Sequence, residues 1–132
     1  MSALMRLKQR ADFLRVAKAQ RKRVTPGLIL QVAPSLEAEA VVRVGFTVSR
    51  RTGNAVRRNR IRRRLRAVAE TILPSAVRVG YDFVLIGRIE TLERPYRDLL
   101  ADLERALYSL RVSRMDRMVY IRNKIKSTPS LS

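Results

Sequence analysis

The chain has 132 residues, 46% of them hydrophobic, and a formal net charge of +18. That length suits one domain, able to bury about two-thirds of the surface its unfolded form exposes. The lack of both cysteine and histidine removes disulfides, thiolate zinc sites and imidazole acid–base chemistry.

The N-terminus carries no signal-like apolar stretch, and no run approaches the ~20 apolar residues of a membrane span. A soluble, cytoplasmic protein is expected, with no membrane role and no small-molecule substrate. Self-repulsion at this charge destabilises a compact state unless a polyanion neutralises it. Most of the charge is arginine, whose planar fork pairs with phosphate through two hydrogen bonds and stacks on bases, so nucleic acid is the expected partner.

Leu7, Ala11, Leu14 and Ala17 recur at helical spacing among basic residues, which predicts a helix over residues 8–19 with those four as its seam and Phe13 off its centre. Thr25-Pro26-Gly27 is a turn signal. Residues 28–33 read as a short strand closed by Pro34, and the β-branched run VVRVGFTVS over 41–49 reads as another, with a loop between them. A long basic helical segment precedes a strand over 81–87, so strand, helix and strand suggest a βαβ unit. Pro95 opens a last helix, in which Leu99, Leu103, Leu107 and Leu110 form one apolar stripe. Asp98, Asp102 and Glu104 in its early turns complement the helix dipole. Residues 1–110 are expected to form the domain, and 111–132 a basic C-terminal extension, partly helical or disordered.

The segment from Arg50 reads RRTGNAVRRNRIRRRLRAVAE. On a helical wheel Ile61, Leu65, Val68 and Ile72 make one apolar seam, while Asn59, Arg60, Arg63 and Arg66 fall within an arc of about 120° on the opposite side. Gly53 is free to take positive φ, and Asn54 can cap the helix start. The backbone N–H groups there, with Arg50, Arg51, Arg57 and Arg58, could meet a phosphate together. An arginine run is more often a solvated face or a nuclear-localisation-like patch. Here nine arginines in seventeen residues have no acid among them to relieve repulsion, which favours a polyanion partner. The acidic pairs Asp98/Asp102 and Glu90/Glu93 share their segments with arginine and suit ion pairing, so no metal held by the protein is expected.

VGFTVSRRTGNAVRRNRIRRRLR resembles the signature of the bacterial ribonuclease P protein component, in which a strand ending in Ser and two basic residues precedes Gly-Asn-Ala-Val and then Arg-Asn-Arg on a helix. The resemblance extends over residues 6–110, through Leu7-Lys8, Asp12-Phe13 and Tyr81-Asp82-Phe83. It implies an α+β fold: a single two-layer α/β sandwich of αβββαβα order, similar to ribosomal protein S5 domain 2, with a left-handed βαβ crossover against the usual right-handed rule.

It also implies an RNA-binding subunit that assists a catalytic RNA in the endonucleolytic removal of the 5′ leader from precursor tRNA. No catalytic residue would lie in this chain, and Mg2+ would be required through the RNA. By position, Arg50, Arg51, Asn54, Arg58, Asn59, Arg60, Arg62, Arg63 and Arg64 would contact the catalytic RNA, and Lys8, Phe13 and Ser49 the leader. Ala17 and Gln31 stand where many members of the family place aromatics, so hydrogen bonds or arginine contacts would replace stacking worth ~1–3 kcal/mol per base. The alternative is a structural or ribosome-associated RNA-binding protein with no part in cleavage.

Overall fold

In the computed structural model, which describes residues 4–36 and 42–113, five strands form one mixed sheet. They are β1 (Leu4–Arg6), β2 (Arg21–Val24), β3 (Leu28–Pro34), β4 (Val42–Val48) and β5 (Tyr81–Gly87), in the order β1-β4-β5-β3-β2. Three helices accompany them, α1 (Arg10–Lys18), α2 (Ala55–Ala76) and α3 (Tyr96–Ser109), with short 3-10 turns at Arg50–Thr52 and Ile89–Leu92. The expected α+β fold and its αβββαβα order are present, preceded by β1, whose three residues are too few to show a period. β4 and β5 are parallel neighbours joined through α2, as the βαβ reading anticipated. β3 runs antiparallel to both β5 and β2.

Period-2 alternation divides the sheet between two faces. Leu28, Leu30 and Val32 of β3, Val42, Val44 and Val48 of β4, and Phe83 and Leu85 of β5 meet the buried seams of α2 and α3 in the main core. α2 contributes Ile61, Leu65, Val68, Ala69, Leu73 and Ala76, and α3 contributes Leu99, Leu103, Ala106 and Leu107. Gly87 lets α2 approach closely, since a Cβ there would lie 2.3 Å from Ile61. The opposite face carries α1 over Ala33 and Val84, with Leu7, Phe13 and Val16 between helix and sheet.

The seam expected on the first helix is rotated. Ala11, Leu14 and Ala17 face outward, Leu14 being 55% exposed, while Val16 is buried and Phe13 half-buried. Ion pairs decide the rotation. Arg15 binds the fully buried Asp82 of β5 and donates to the Pro34 carbonyl at 2.8 Å. Arg43 of β4 reaches Asp12 at 3.0 Å and Asp82 at 3.4 Å. A buried carboxylate stripped of its partner costs about 3–5 kcal/mol, comparable to the burial that Leu14, Ala11 and Ala17 forgo, and Val16 and Phe13 supply apolar burial from the rotated face in their place.

The described chain continues past residue 110 within this domain. Val112 is buried in the main core, and Ser113 forms a β-bridge with Val77. The remainder of the expected basic extension, residues 114–132, lies outside the described residues.

Candidate nucleic-acid interface

The turn from β4 into α2 is built by side chains capping backbone. Ser49 Oγ accepts from the Arg51 N–H at 3.1 Å, and Thr52 Oγ1 donates to the Ser49 carbonyl at 2.6 Å. Gly53 then takes φ +141°, where a Cβ would lie 2.4 Å from Arg57 Cδ. Asn54 is the N-cap of α2, its Oδ1 accepting from the Arg57 N–H at 2.9 Å. Arg50, Arg51 and Asn54 are exposed at this turn.

Along the helix, Asn59, Arg60 and Arg63 are exposed on the side away from Ile61, Leu65 and Val68. Arg62 donates to Asn59 Oδ1 at 3.1 Å, one turn back. Arg58 is half-buried, as its angle of about 20° from Leu65 on the wheel requires. Arg64 differs from the rest: its two terminal nitrogens donate to the carbonyls of Leu92 and Arg94 at 2.5 and 2.6 Å. A cleft of ≈ 580 Å³ lies between the first turns of α2 and this loop, lined by Asn54, Arg57, Arg60, Arg63 and Arg64 on one side and Leu92 and Glu93 on the other.

The loop wall is itself anchored. Arg94 binds the fully buried Asp102 through Nε at 2.6 Å and Nη2 at 3.0 Å, and Asp102 also accepts from the Gly27 N–H at 3.0 Å. Its hydrogen bonds to Asp102 outweigh partial burial and push the Arg94 pKa up. Asp82 and Asp102, the buried carboxylates of the described residues, are thus each held by arginine. No group of three or more Asp and Glu among those residues is placed to hold a metal ion.

On the opposite face, Phe13 lies against Gly45 of β4, where a Cβ would come within 2.6 Å of two ring carbons. Lys8 is exposed nearby, lining a concavity with Gln9, Asp12 and Arg43. Ser49 stands four residues beyond Gly45, about 13 Å along the strand, with its hydroxyl engaged in the turn. Between them the sheet is only partly covered. Val24, Ile29, Ile86 and Thr47 pair in register across four strands; Val24 is exposed and the other three are half-buried. Gln31 occupies the next row, beside Val84 and Gly45. This open strip was not evident from the sequence, because its four residues come from four strands.

The family model described as ribonuclease P matches residues 1–111. The chain belongs to the ribonuclease P protein family. It is 57% identical over 108 residues to the ribonuclease P protein component of Paramagnetospirillum magneticum, covering 79% of this chain and 80% of that protein. The component from Ruegeria pomeroyi is 46% identical over 111 residues, with 83% and 88% covered. Solved ribonuclease P proteins share the fold. That of Staphylococcus aureus superposes with a TM-score of 0.67 at 27% identity, over 81% of this chain and 95% of that one. That of Thermotoga maritima gives 0.65 at 26%, over 85% and 98%. In this chain α1 is clamped by Arg15, Arg43 and Asp82, a set that periodicity could not reveal because its members are far apart in the sequence.

Proposed function

We propose that this chain is the RNA-binding protein subunit of a ribonuclease P ribonucleoprotein, assisting the catalytic RNA in removing the 5′ leader from precursor tRNA. The observation that carries the reading is the outer side of the first three turns of α2, which holds no acid before Glu70 and exposes Arg60 and Arg63 beside the capped turn bearing Arg50, Arg51 and Asn54. Membership of the family ties the chain to a tRNA-processing ribonuclease and to its RNA.

The catalytic centre belongs to the RNA in this reading. Mg2+ is bound there, and the buried carboxylates of this chain serve arginines instead. Arg50, Arg51, Asn54, Arg58, Asn59, Arg60, Arg62 and Arg63 form the RNA-docking surface, while Arg64 supports it from behind. The leader follows the opposite face, entering by Lys8 and Phe13 and crossing the strip of Val24, Ile29, Ile86 and Thr47 toward Ser49. Gln31 offers hydrogen bonds where a stacking ring is absent. The work is done in the cytoplasm; among the described residues no helix is long and apolar enough to cross a membrane.

The test is cleavage of precursor tRNA at low magnesium by the protein alone, the ribonuclease P RNA alone, and both together. Cleavage by the pair well above that of the RNA, with none by the protein, is expected. Binding without stimulation would favour a structural RNA-binding role, and cleavage by protein alone would place the chemistry in this chain.

A further inference from the structure

A second cleft, of ≈ 540 Å³, opens where the far ends of α2 and α3 meet, lined by Arg78, Tyr108, Ser109, Arg111 and Ser113. α2 spans 22 residues, about 33 Å, so this cleft lies at the opposite end of the helix from the Asn54 cap.

Its backbone is strained at one residue. α3 closes in a Schellman motif: the Val112 N–H donates to the Leu107 carbonyl at 3.1 Å and the Arg111 N–H to that of Tyr108 at 3.0 Å. The residue after the cap must then be left-handed, and Arg111 has φ +62°. Glycine is the residue that takes this position without steric penalty, and an arginine there is a local cost retained in the fold.

Arg111 does not offset that cost with a polar side-chain contact among the described residues. It and Arg78 are both exposed, and neither guanidinium makes an ion pair or hydrogen bond among the described residues. The negative end of α3 is already answered, since Arg21 donates to the Leu110 carbonyl at 2.6 Å. Residues 114–126 carry five basic side chains against one acid, so the chain beyond is like-charged with the cleft.

We propose that this cleft is a second phosphodiester-binding site, in which Arg78 and Arg111 grip the backbone of an RNA strand at the end of the molecule remote from Arg60 and Arg63. The proposal rests on the ribonuclease P reading for its two candidate strands, which share this chemistry: the catalytic RNA and the precursor tRNA.

The test measures thermal stability, and Kd across a salt series for each RNA, with full-length wild type, Arg111→Gly, Arg78→Gln and Arg60→Gln. Arg111→Gly should have a Tm equal to or above that of the wild type, because the strain is relieved. It should nonetheless bind one of the two RNAs several-fold more weakly, with the slope of log K against log salt reduced by about 0.7–0.9, the mark of one lost phosphate contact. Arg78→Gln should lose a similar amount on the same RNA, and the RNA affected names the strand. Should Arg111→Gly lower the Tm, Arg78→Gln decides alone, since its guanidinium makes no hydrogen bond or ion pair among the described residues. Wild-type affinity and slope for both RNAs in Arg111→Gly and Arg78→Gln, with Arg60→Gln weakened, would overturn the cleft and leave the parent reading standing. Wild-type protein that binds neither RNA would overturn both.

Discussion

Arg64 and Arg63 are neighbours in the same basic run, yet one is tied to the protein and the other is open to solvent. The wheel explains the difference. Arg64 lies 100° from Leu65, on the flank of the buried seam and within reach of the Leu92 and Arg94 carbonyls, whereas Arg63 points away. Arg64→Gln is expected to lower unfolding stability by about 2 kcal/mol, from the loss of two charge-assisted hydrogen bonds, and to leave the salt dependence of RNA binding unchanged. Denaturant unfolding beside a salt series checks this, and unchanged stability with a shallower slope would make Arg64 a phosphate contact. Sequence alone could assign an arginine to a side of the helix, but not to a carbonyl on a loop some thirty residues away.

Glu104 bears on pH dependence at the same scale. Burial pushes its pKa above the ordinary 4.5. A carboxyl raised in the folded state contributes stability that is fully present below the unfolded pKa and is lost as pH rises through the folded one. Glu104→Gln should therefore raise the Tm at neutral pH, with the advantage fading as pH falls through the raised folded pKa and gone below 4.5, where the acid is protonated in both states. A Tm difference that stays constant between neutral pH and about pH 4 would contradict this.

Among the elements, α2 was the most legible. Ile61, Leu65 and Val68 of its predicted seam are buried as the period requires, while Ile72 is half-buried and Leu73 takes the core position beside it, and Asn54 caps the helix. Twenty-two residues give a period room to average out local exceptions. α1 has nine, and its rotation is set by Asp82 and Arg43 from distant strands, which no local pattern encodes. Its position matters because it holds Phe13 over Gly45. Gly45→Ala would drive a methyl into the ring and displace it, costing about 1–3 kcal/mol of stability. The variant should also narrow the preference of the protein–RNA complex for leader-bearing precursor over mature tRNA. Comparative Kd measurements on the two substrates test this; an undiminished preference would remove Phe13 from the leader path.

At the scale of the whole molecule, the sheet order β1-β4-β5-β3-β2 brings together segments far apart in the chain. Pairing of that kind leaves no periodic trace, which is why the strip of Val24, Ile29, Thr47 and Ile86 emerged only from the register. The charge asymmetry, by contrast, was plain in the sequence. Ten arginines and no acid fall between Glu39 and Glu70, against four arginines and seven acids over residues 67–104. The fold converts that asymmetry into geometry, with α2 carrying its exposed arginines on one side of the sheet and α1 holding Phe13 on the other.

In the proposed complex the outer side of α2 docks the catalytic RNA, separately from the α1 face. The most direct measurement is the affinity of ribonuclease P RNA for the wild type, the Arg60→Glu/Arg63→Glu double variant and Phe13→Ala across a salt series. The double variant should lose at least tenfold in affinity and show a slope shallower by about 1.4–1.8, two phosphate contacts, while Phe13→Ala binds as the wild type does. Equal affinity and slope for the double variant and the wild type would contradict the account.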